Sequence, residues 1–438
     1  MVDKKQNGRV IVTYGRSLIA LMIAQSLGSR GIDVIGCDDV ALTVLSFSKC
    51  VSKTCLYTSW EEDEEQYIED LLAIAKENKP EDGHPYLLIP AFRDAKILAK
   101  YKDRFEGIIT VACPDLDAIE QVDHKDAFAR TTQKFDVESP KTWLPANQDE
   151  LAEDSEEMDF PVFIKPPNEV GGRGISKIDD KDALINAFTD LQDRFPDQQI
   201  LIQSLAKGVD YCFCGLFDQG KLVASMVYHN LRKFPAETGP GVVRETVDSE
   251  AFDQIAEKLM KPLKWHGVAG IDFMWDEKGT PQMIEVNARF WAGLDHSVKS
   301  NVDFPYLLYR LFVDGQVDWT SEALIGKKTS LPGLSTLARI ESLFDDKFHF
   351  ERLQDDWPKI KQSLQDMDLD RAQSLFADAL SDSLSFGEAV EAVRDMLREA
   401  EEAEKINYAD DDPFIGLGVL FVLGSLIRHG KLPPEIKR

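Results

Sequence analysis

The first 115 residues alternate short apolar runs with segments that carry apolar residues at helical spacing. The apolar runs are residues 9–14, 32–37, 86–90 and 107–111. Residues 18–29 lie between the first two runs and place Ile19, Ile23 and Leu27 on one helical face. This alternation predicts a parallel, doubly wound sheet. The turn Gly15-Arg16-Ser17 has one glycine and no G-x-G-x-x-G pattern, so we favour a structural scaffold over a dinucleotide site.

The pattern changes twice farther along the chain. From about residue 119 the strands become hairpin-like and glycine-rich turns appear, and beyond 318 the chain is acidic with helical periodicity. We therefore expect an α/β domain over residues 1–118 and an α+β domain over 119–318, followed by a mostly helical extension over 319–438. Within the second domain we expect a small lobe at about 160–207 and a larger one at about 208–318.

Charge and composition narrow the function classes. The chain has 438 residues with 50 basic and 77 acidic side chains, a net charge of −27 that disfavours a nucleic-acid partner. Cys212 and Cys214 have no second Cys or His pair at zinc spacing, so we expect two reduced thiols on one strand face. The charged start of the chain leads directly into a strand, which predicts no signal peptide and a cytoplasmic protein.

An uncharged segment lies near the end of the sequence. Residues 414–427 would form a helix of about 21 Å, shorter than the roughly 30 Å hydrocarbon core of a bilayer. We favour a buried or subunit-interface helix, with peripheral membrane contact as the alternative. For the acidic extension as a whole, dimerisation, partner docking and membrane attachment all stay open.

The most informative stretch is residues 270–293, in which two β runs flank the turn at 276–280. Alternation puts Ile271, Phe273, Trp275, Ile284 and Val286 on an apolar face. The opposite face carries Asp272, Glu285 and Asn287. Two registers are open, one pairing Asp272 with Glu285 and the other pairing it with Asn287, and we expect glycine to supply the positive φ in the turn. Facing carboxylates destabilise a hairpin unless a cation neutralises them, so this set is a candidate Mg²⁺ site.

Two further stretches suit nucleotide contact. The strand Val162–Lys165 ends on a lysine and leads into a loop with Gly171, Gly172 and Gly174, where exposed backbone N–H groups can approach an anion. The strand at 200–204 is followed by a polar turn and then Asp210, an arrangement that suits adenine and ribose hydroxyls. Each of these features is also common in ordinary loops.

Taken in this order, the three stretches resemble the ATP-grasp superfamily over about residues 9–318. They are similar in style to carboxylate–amine ligases and carbamoyl-phosphate-synthase-like members, with kinship to D-alanine–D-alanine ligase. The resemblance implies a Rossmann-like preATP-grasp domain followed by a two-lobed ATP-grasp fold. By position, the ATP-binding residues would be Lys125, Lys165, Gly171, Gly172, Gly174, Gln203, Ser204, Leu205 and Asp210. The metal ligands would be Asp272, Glu285 and Asn287, which hold two Mg²⁺ or Mn²⁺ ions in such a site.

The resemblance also implies the chemistry, in which ATP activates a carboxylate as an acyl phosphate and an amine then attacks it. Arg289 and Lys165 would be the catalytic side chains, while Arg232 and Arg244 are candidates to bind the substrate anion. The substrates would be a small carboxylate and an amine, such as amino acids. Gln203 stands where the family often has Glu, and Gly270 stands where some ligases have Arg. The alternatives are an ATP-dependent carboxylase acting through carboxyphosphate and a nucleotide-binding module without turnover.

Overall fold

The computed structural model describes residues 8–80, 83–165, 176–196, 198–233, 241–317 and 322–331, with 359, 362–363, 371 and 403–406 farther along the chain. The protein divides into two compact units. The described residues of the first unit lie within Met1–Asn230 and Arg244–Lys327, and those of the second within Leu231–Val243 and Lys328–Ile406.

The first unit begins with a five-stranded parallel sheet in the order β3-β2-β1-β4-β5. Its strands are β1 (Arg9–Val12), β2 (Asp33–Asp38), β3 (Lys53–Leu56), β4 (Tyr86–Ile89) and β5 (Thr110–Val111). The helices between and after them are α1 (Leu18–Gly28), α2 (Glu64–Glu77), α3 (Ala95–Lys100) and α4 (Leu116–Asp123). Val10 and Val12 pack into one hydrophobic core and Ile11 packs into another, so both faces of the sheet are buried. The central strands therefore carry continuous apolar runs, without alternation between apolar and polar residues.

Two details of this sheet show how local chemistry sets the element boundaries. Helix α1 begins where predicted because the Ser17 hydroxyl caps it, accepting from the Ala20 N–H at 3.0 Å. Strand β5 is shorter than the apolar run that predicted it. Gly107 adopts a φ of 72°, and the Ile109 N–H donates to the Phe105 carbonyl at 3.1 Å, so a turn replaces the first half of that run.

A four-stranded antiparallel sheet in the order β6-β9-β7-β8 follows. Its strands are β6 (Thr142–Trp143), β7 (Val162–Lys165), β8 (Ser176–Ile178) and β9 (Leu201–Ser204). The associated helices are α5 (Lys125–Lys134), α6 (Gln148–Ser155) and α7 (Lys181–Arg194). Val162, Ile164 and Ile202 pack with Leu184 and Phe188 of α7 into a separate small core, which leaves the ends of β7 and β9 to position polar side chains.

The third sheet carries the long strands, in the order β14-β13-β10-β11-β12. Its strands are β10 (Val209–Asp218), β11 (Lys221–Lys233), β12 (Gly241–Val247), β13 (Gly267–Trp275) and β14 (Gln282–Asn287). Its helices are α8 (Glu250–Met260), α9 (Leu294–Lys299) and α10 (Phe304–Asp314). Gln219 and Gly220 both adopt positive φ between β10 and β11, at 47° and 86°, so the two strands are joined by a tight hairpin turn.

In the second unit, Thr329 and Ser330 of β15 (Lys328–Ser330) pair in parallel with Glu404 and Lys405 of β16 (Glu404–Lys405). The α/β and α+β architecture predicted for the first 318 residues is confirmed. The predicted helical extension falls almost wholly outside the described residues, and the segment 414–427 lies outside them altogether. Among the residues that the structure does describe, no helix combines the length and the apolar character needed to cross a membrane.

Candidate functional site

Lys165 lies within electrostatic reach of a second lysine and of a carboxylate. Lys125 is the first residue of α5, and Lys165 is the last residue of β7. Burial and, to a smaller extent, the positive charge of Lys125 lower the pKa of Lys165 to about 8, while the carboxylate of Glu285 opposes that shift. The structure therefore places Lys125 and Glu285 each close enough to Lys165 to affect its charge, although they lie 40 and 120 residues from it in sequence.

Gln203 holds the ammonium of Lys165 in place. The Gln203 Oε1 accepts a hydrogen bond from Lys165 Nζ, and its Nε2 donates to the Thr142 hydroxyl at 3.0 Å. Gln203 is buried on β9, directly opposite Phe163 of β7. Because both the oxygen and the nitrogen of its amide are hydrogen-bonded, the Gln203 side chain is held in one orientation. It is a neutral partner for Lys165, whereas a glutamate at this position would add a negative charge.

The residues after β9 open onto a cavity. The Ser204 N–H donates a hydrogen bond to the Lys141 carbonyl at 2.9 Å. The next residue, Leu205, is 40% exposed. Leu205 lines a cavity of 520 Å³ together with Met274 and Lys207. Sequence reasoning gave no role to Met274, although it lies two residues after Asp272 and hence on the same face of β13.

Asp210 lies near the start of β10, directly opposite Met274 of β13. Its Oδ2 accepts from the Asn230 Nδ2 of β11 at 3.0 Å. Directly opposed residues of neighbouring strands share a face of the sheet, so the half-buried Asp210 lies on the same face as Met274, which lines the cavity.

The carboxylates predicted to bind metal face each other across β13 and β14. Asp272 pairs with Glu285, and Gly270 pairs with Asn287, which selects the first of the two registers left open by the sequence. Asp272 and Asn287 are half-buried and Glu285 is exposed. Among the described residues, no group of three or more His, Cys, Asp or Glu side chains could hold a metal ion. The candidate metal ligands are instead the two carboxylates of Asp272 and Glu285 and the amide oxygen of Asn287.

Two expectations about this hairpin are wrong. A β-bulge between Asp272 and Phe273 brings Met283 opposite Phe273, so Met283 joins the apolar core in place of Ile284. The positive φ falls on Glu277, at 60°, and not on Gly279. The Asp276 Oδ1 accepts from the N–H groups of Lys278 and Gly279 at 3.0 and 3.1 Å, and this Asx turn shapes the loop without a left-handed glycine.

Arg289 lies beside the candidate metal ligands. Its Nη2 donates to the Asn287 Oδ1 at 3.0 Å, and its Nη1 donates to the Phe290 carbonyl at 3.1 Å. The guanidinium carbon lies 5.4 Å from the ring centroid of Phe92, a residue at the carboxyl end of the N-terminal sheet. Sequence reasoning missed Phe92, because nothing local marks a residue whose partner is about 200 positions away.

The two arginines predicted to bind a substrate anion lie in different settings. Arg232 is half-buried on β11 in the second unit. Arg244 of β12 is in the first unit with 2% of its side chain exposed, and its Nη1 and Nη2 donate to Asp295 Oδ1 and the Ala292 carbonyl at 3.4 and 3.3 Å. Gly171, Gly172 and Gly174 lie outside the described residues.

Comparisons with known proteins agree with this order of motifs. A family model described as ATP-grasp in the biosynthetic pathway with Ter operon matches residues 216–329. The model of the carbamoyl-phosphate synthase L chain, ATP binding domain, matches residues 124–213. Over residues 124–213 and 216–329 the chain is therefore similar to ATP-grasp proteins, in the same order along the sequence as the motifs described above.

Individual relatives are distant. The carbamoyl phosphate synthase large chain of Clostridium acetobutylicum is 20% identical over 232 residues, which is 52% of this chain and 21% of that protein. Biotin carboxylase from Campylobacter jejuni, solved as a β-γ-ATP complex, has a TM-score of 0.58 at 15% identity and covers 73% of this chain and 74% of its own. N5-carboxyaminoimidazole synthetase from Staphylococcus aureus, solved with ADP, has a TM-score of 0.57 at 14% identity, with 78% and 86% covered. These structures establish the fold.

Proposed function

We propose that the protein is an ATP-dependent ligase that activates a carboxylate as an acyl phosphate and joins it to an amine. The observation that carries this proposal is the direct pairing of Asp272 with Glu285 across β13 and β14, with Lys165 within electrostatic reach of both Glu285 and Lys125. Cationic side chains suit a triphosphate, and paired carboxylates suit the divalent ion that accompanies one. The family match supports the same conclusion.

The donor set fits a hard divalent cation. Asp272 and Glu285 are directly opposed carboxylates, and Asn287 adds an amide oxygen that Arg289 already orients. These three side chains would hold Mg²⁺ or Mn²⁺, with two ions per site by analogy with the family. When bound, the metal would neutralise negative charge on the phosphate chain and relieve the repulsion between the facing carboxylates.

The chain's own side chains divide the remaining work. Lys125 and Lys165 would bind the phosphates, and Gln203 would fix the direction of the Lys165 ammonium. Leu205 and Met274 would border the adenine, and Asp210 would accept from the ribose hydroxyls. Arg289 would stabilise the charge that develops on the transferred phosphoryl group. We assign the glycines at 171, 172 and 174 to the phosphate lid by analogy with the family alone.

The proposed ligase reaction has two steps. A carboxylate oxygen forms a bond to the γ-phosphorus while the bond from that phosphorus to the β–γ bridging oxygen breaks, and ADP leaves. The amine nitrogen then bonds to the acyl carbon, inorganic phosphate departs, and the nitrogen loses a proton. Activation is needed because a carboxylate oxygen is a poor leaving group at neutral pH. We propose small carboxylates and amines as substrates, with amino acids among them.

The test is a screen for phosphate release from ATP and Mg²⁺ with pairs of carboxylic acids and amines. We expect release that needs both components, and Glu285→Ala should abolish it while thermal melting shows an intact fold. Exposed Glu120 on α4 offers a matched control, since Glu120→Ala should leave turnover unchanged. Release that needs neither acid nor amine would contradict the ligase.

The likeness to biotin carboxylase favours one second candidate, an ATP-dependent carboxylase that acts through carboxyphosphate. Bicarbonate dependence of ADP release separates the two functions. A ligase releases ADP with an acid and an amine in bicarbonate-free buffer, whereas a carboxylase needs added bicarbonate.

A further inference from the structure

The strand order of the N-terminal sheet produces a topological switch point beside β1. The chain runs outward from β1 in two directions, through β2 and β3 on one side and through β4 and β5 on the other. In open parallel sheets, ligands bind outside the carboxyl ends of the strands at such a switch point. Here Thr13 directly follows β1 and Ala91 lies two residues after the end of β4, and the Ala91 N–H donates to the Thr13 hydroxyl at 3.2 Å.

An aromatic pair lies at this switch point. The rings of Tyr14 and Phe92 stack with centroids 4.7 Å apart at an interplanar angle of 12°. Tyr14 has a φ of 56°, an unfavourable conformation for a bulky residue, and the hydroxyl of Tyr57 accepts its N–H at 3.1 Å. Strained backbone that is held by its surroundings is frequent at functional sites.

Three guanidinium groups lie on this aromatic pair. Arg16 lies 5.1 Å from the ring centroid of Tyr14, and two carboxylates, Asp38 and Asp39, neutralise it. Arg93 and Arg289 each lie 5.4 Å from the ring centroid of Phe92, so their guanidinium carbons are no more than twice that distance apart.

Arg93 differs from Arg16 in its partners. It is exposed, and it makes no ion pair with any residue in the described part of the chain. Acidic residues outnumber basic ones by 77 to 50 in this protein, so an exposed guanidinium near a second one is a local concentration of positive charge on an acidic protein. Such a pair suits an anionic ligand.

The second guanidinium, that of Arg289, connects this switch point to the candidate catalytic site. Arg289 is hydrogen-bonded to Asn287 of the metal set and also lies on Phe92. The carboxyl edge of the N-terminal sheet and the phosphate end of the ATP site therefore share one arginine. A substrate that reaches Arg289 from this edge has its far end near Arg93.

We propose that the acyl substrate is a dicarboxylic acid. This inference rests on the proposed ligase function and adds the substrate class. The carboxylate to be activated lies at Arg289, and the second carboxylate binds Arg93. Both guanidinium carbons lie 5.4 Å from the ring centroid of Phe92, close enough for one small molecule to reach both groups. Arg16 takes no part, because Asp38 and Asp39 hold it.

The test compares acids of matched length in the phosphate-release assay, with glutarate against valerate and glutamate against norvaline. We expect a KM for each diacid that is about tenfold to a hundredfold below that of its monoacid. Arg93→Met keeps most of the apolar stem and should raise the diacid KM to the monoacid value, with kcat, the monoacid KM and the KM for ATP unchanged. Arg93→Lys should retain part of the preference.

Arg104→Met serves as the control, because Arg104 is already paired with Glu65 and Glu69. Equal KM values for diacids and monoacids, with Arg93→Met changing neither, would overturn the dicarboxylate assignment and leave the ligase standing. A preference for a monoacid that carries a phosphate ester would overturn it as well. If no acid stimulates phosphate release, the ligase itself is wrong, and the inference is lost with it.

Discussion

Asp272 and Glu285 are direct partners across two antiparallel strands, with their side chains on the same face of the sheet. Facing like charges destabilise such a pair, and a bound divalent cation would offset that repulsion. Stability and metal binding are therefore expected to respond in opposite directions to the loss of one carboxylate.

Asp272→Asn tests this relationship. Without divalent ions the variant should be more stable than the wild type by about 0.2–1 kcal/mol, because one of two facing charges is gone. It should also lose the rise in melting temperature that Mg²⁺ and ATP give the wild type. Melting curves with and without chelator measure both effects, and Glu120→Gln should change neither. A variant that is less stable in chelator would contradict the repulsion.

The pKa of Lys165 makes nucleotide binding dependent on pH. It falls from 10.5 to about 8 because the side chain is buried and faces Lys125. The unfolded chain therefore binds more protons than the folded one between about pH 8 and 10.5, and stability without ligand rises with pH across that window. Phosphates favour the charged ammonium, so affinity for ATP should fall above pH 8.

Calorimetric titration at pH 7 and pH 9 measures this effect, and at pH 9 the wild type should take up a proton on binding ATP. Lys165→Arg is the matched variant, because a guanidinium stays charged at both values. It should bind ATP with the same affinity at pH 7 and pH 9. If the affinity of Lys165→Arg for ATP fell as steeply between pH 7 and pH 9 as that of the wild type, another group would be responsible for the pH dependence.

Arg244 provides a way to separate a structural role from substrate binding. Its guanidinium and the carboxylate of Asp295 are both 2% exposed, and removal of one member of such a pair typically costs about 3–5 kcal/mol. We expect Arg244→Met to lower the free energy of unfolding by that amount, as measured in urea. Arg244→Met combined with Asp295→Leu should regain much of the loss. A stable single variant with a raised substrate KM would instead support the role of anion binding.

Cys55 should be the most reactive of the thiols in the N-terminal sheet. It lies opposite Cys37 on β2, and a hydrogen bond from Cys37 lowers the pKa of Cys55 to about 7, while Cys37 is fully buried and its own pKa is raised. Iodoacetamide at pH 7.5 should modify Cys55 well before Cys37, as peptide mass spectrometry would show. Cys37→Ala should slow the reaction at Cys55. Equal labelling rates would refute the pairing.

How far the sequence determines this site differs between its parts. The alternation of side chains along a strand was enough to predict that Asp272 and Glu285 lie on the polar face of the hairpin. It left two possible registers, one pairing Asp272 with Glu285 and the other pairing it with Asn287. The bulge after Asp272 was not predictable, because it depends on packing between Phe273 and Met283. The positive φ at Glu277 also escaped prediction, since the Asp276 side chain makes a turn that glycine alone was expected to permit.

Contacts between residues far apart in the sequence could not be predicted for a different reason. Arg289 and Phe92 are about 200 residues apart, and no local pattern marks their contact. Arg244 looks like any polar strand residue in sequence, and its burial follows only from the packing of α9 beside β12. The three-part domain division and the roles of the individual site residues stay predictions.

The bulge lies between the hairpin loop and the three oxygen donors, and this has a practical consequence for engineering. In a strand pair, a one-residue slip in register moves every side chain of the slipped strand to the opposite face. Here one irregular step separates Asp272 and Glu285 from the loop at 276–280. A peptide grafted into that loop is therefore expected to leave the orientation of the oxygen donors unchanged.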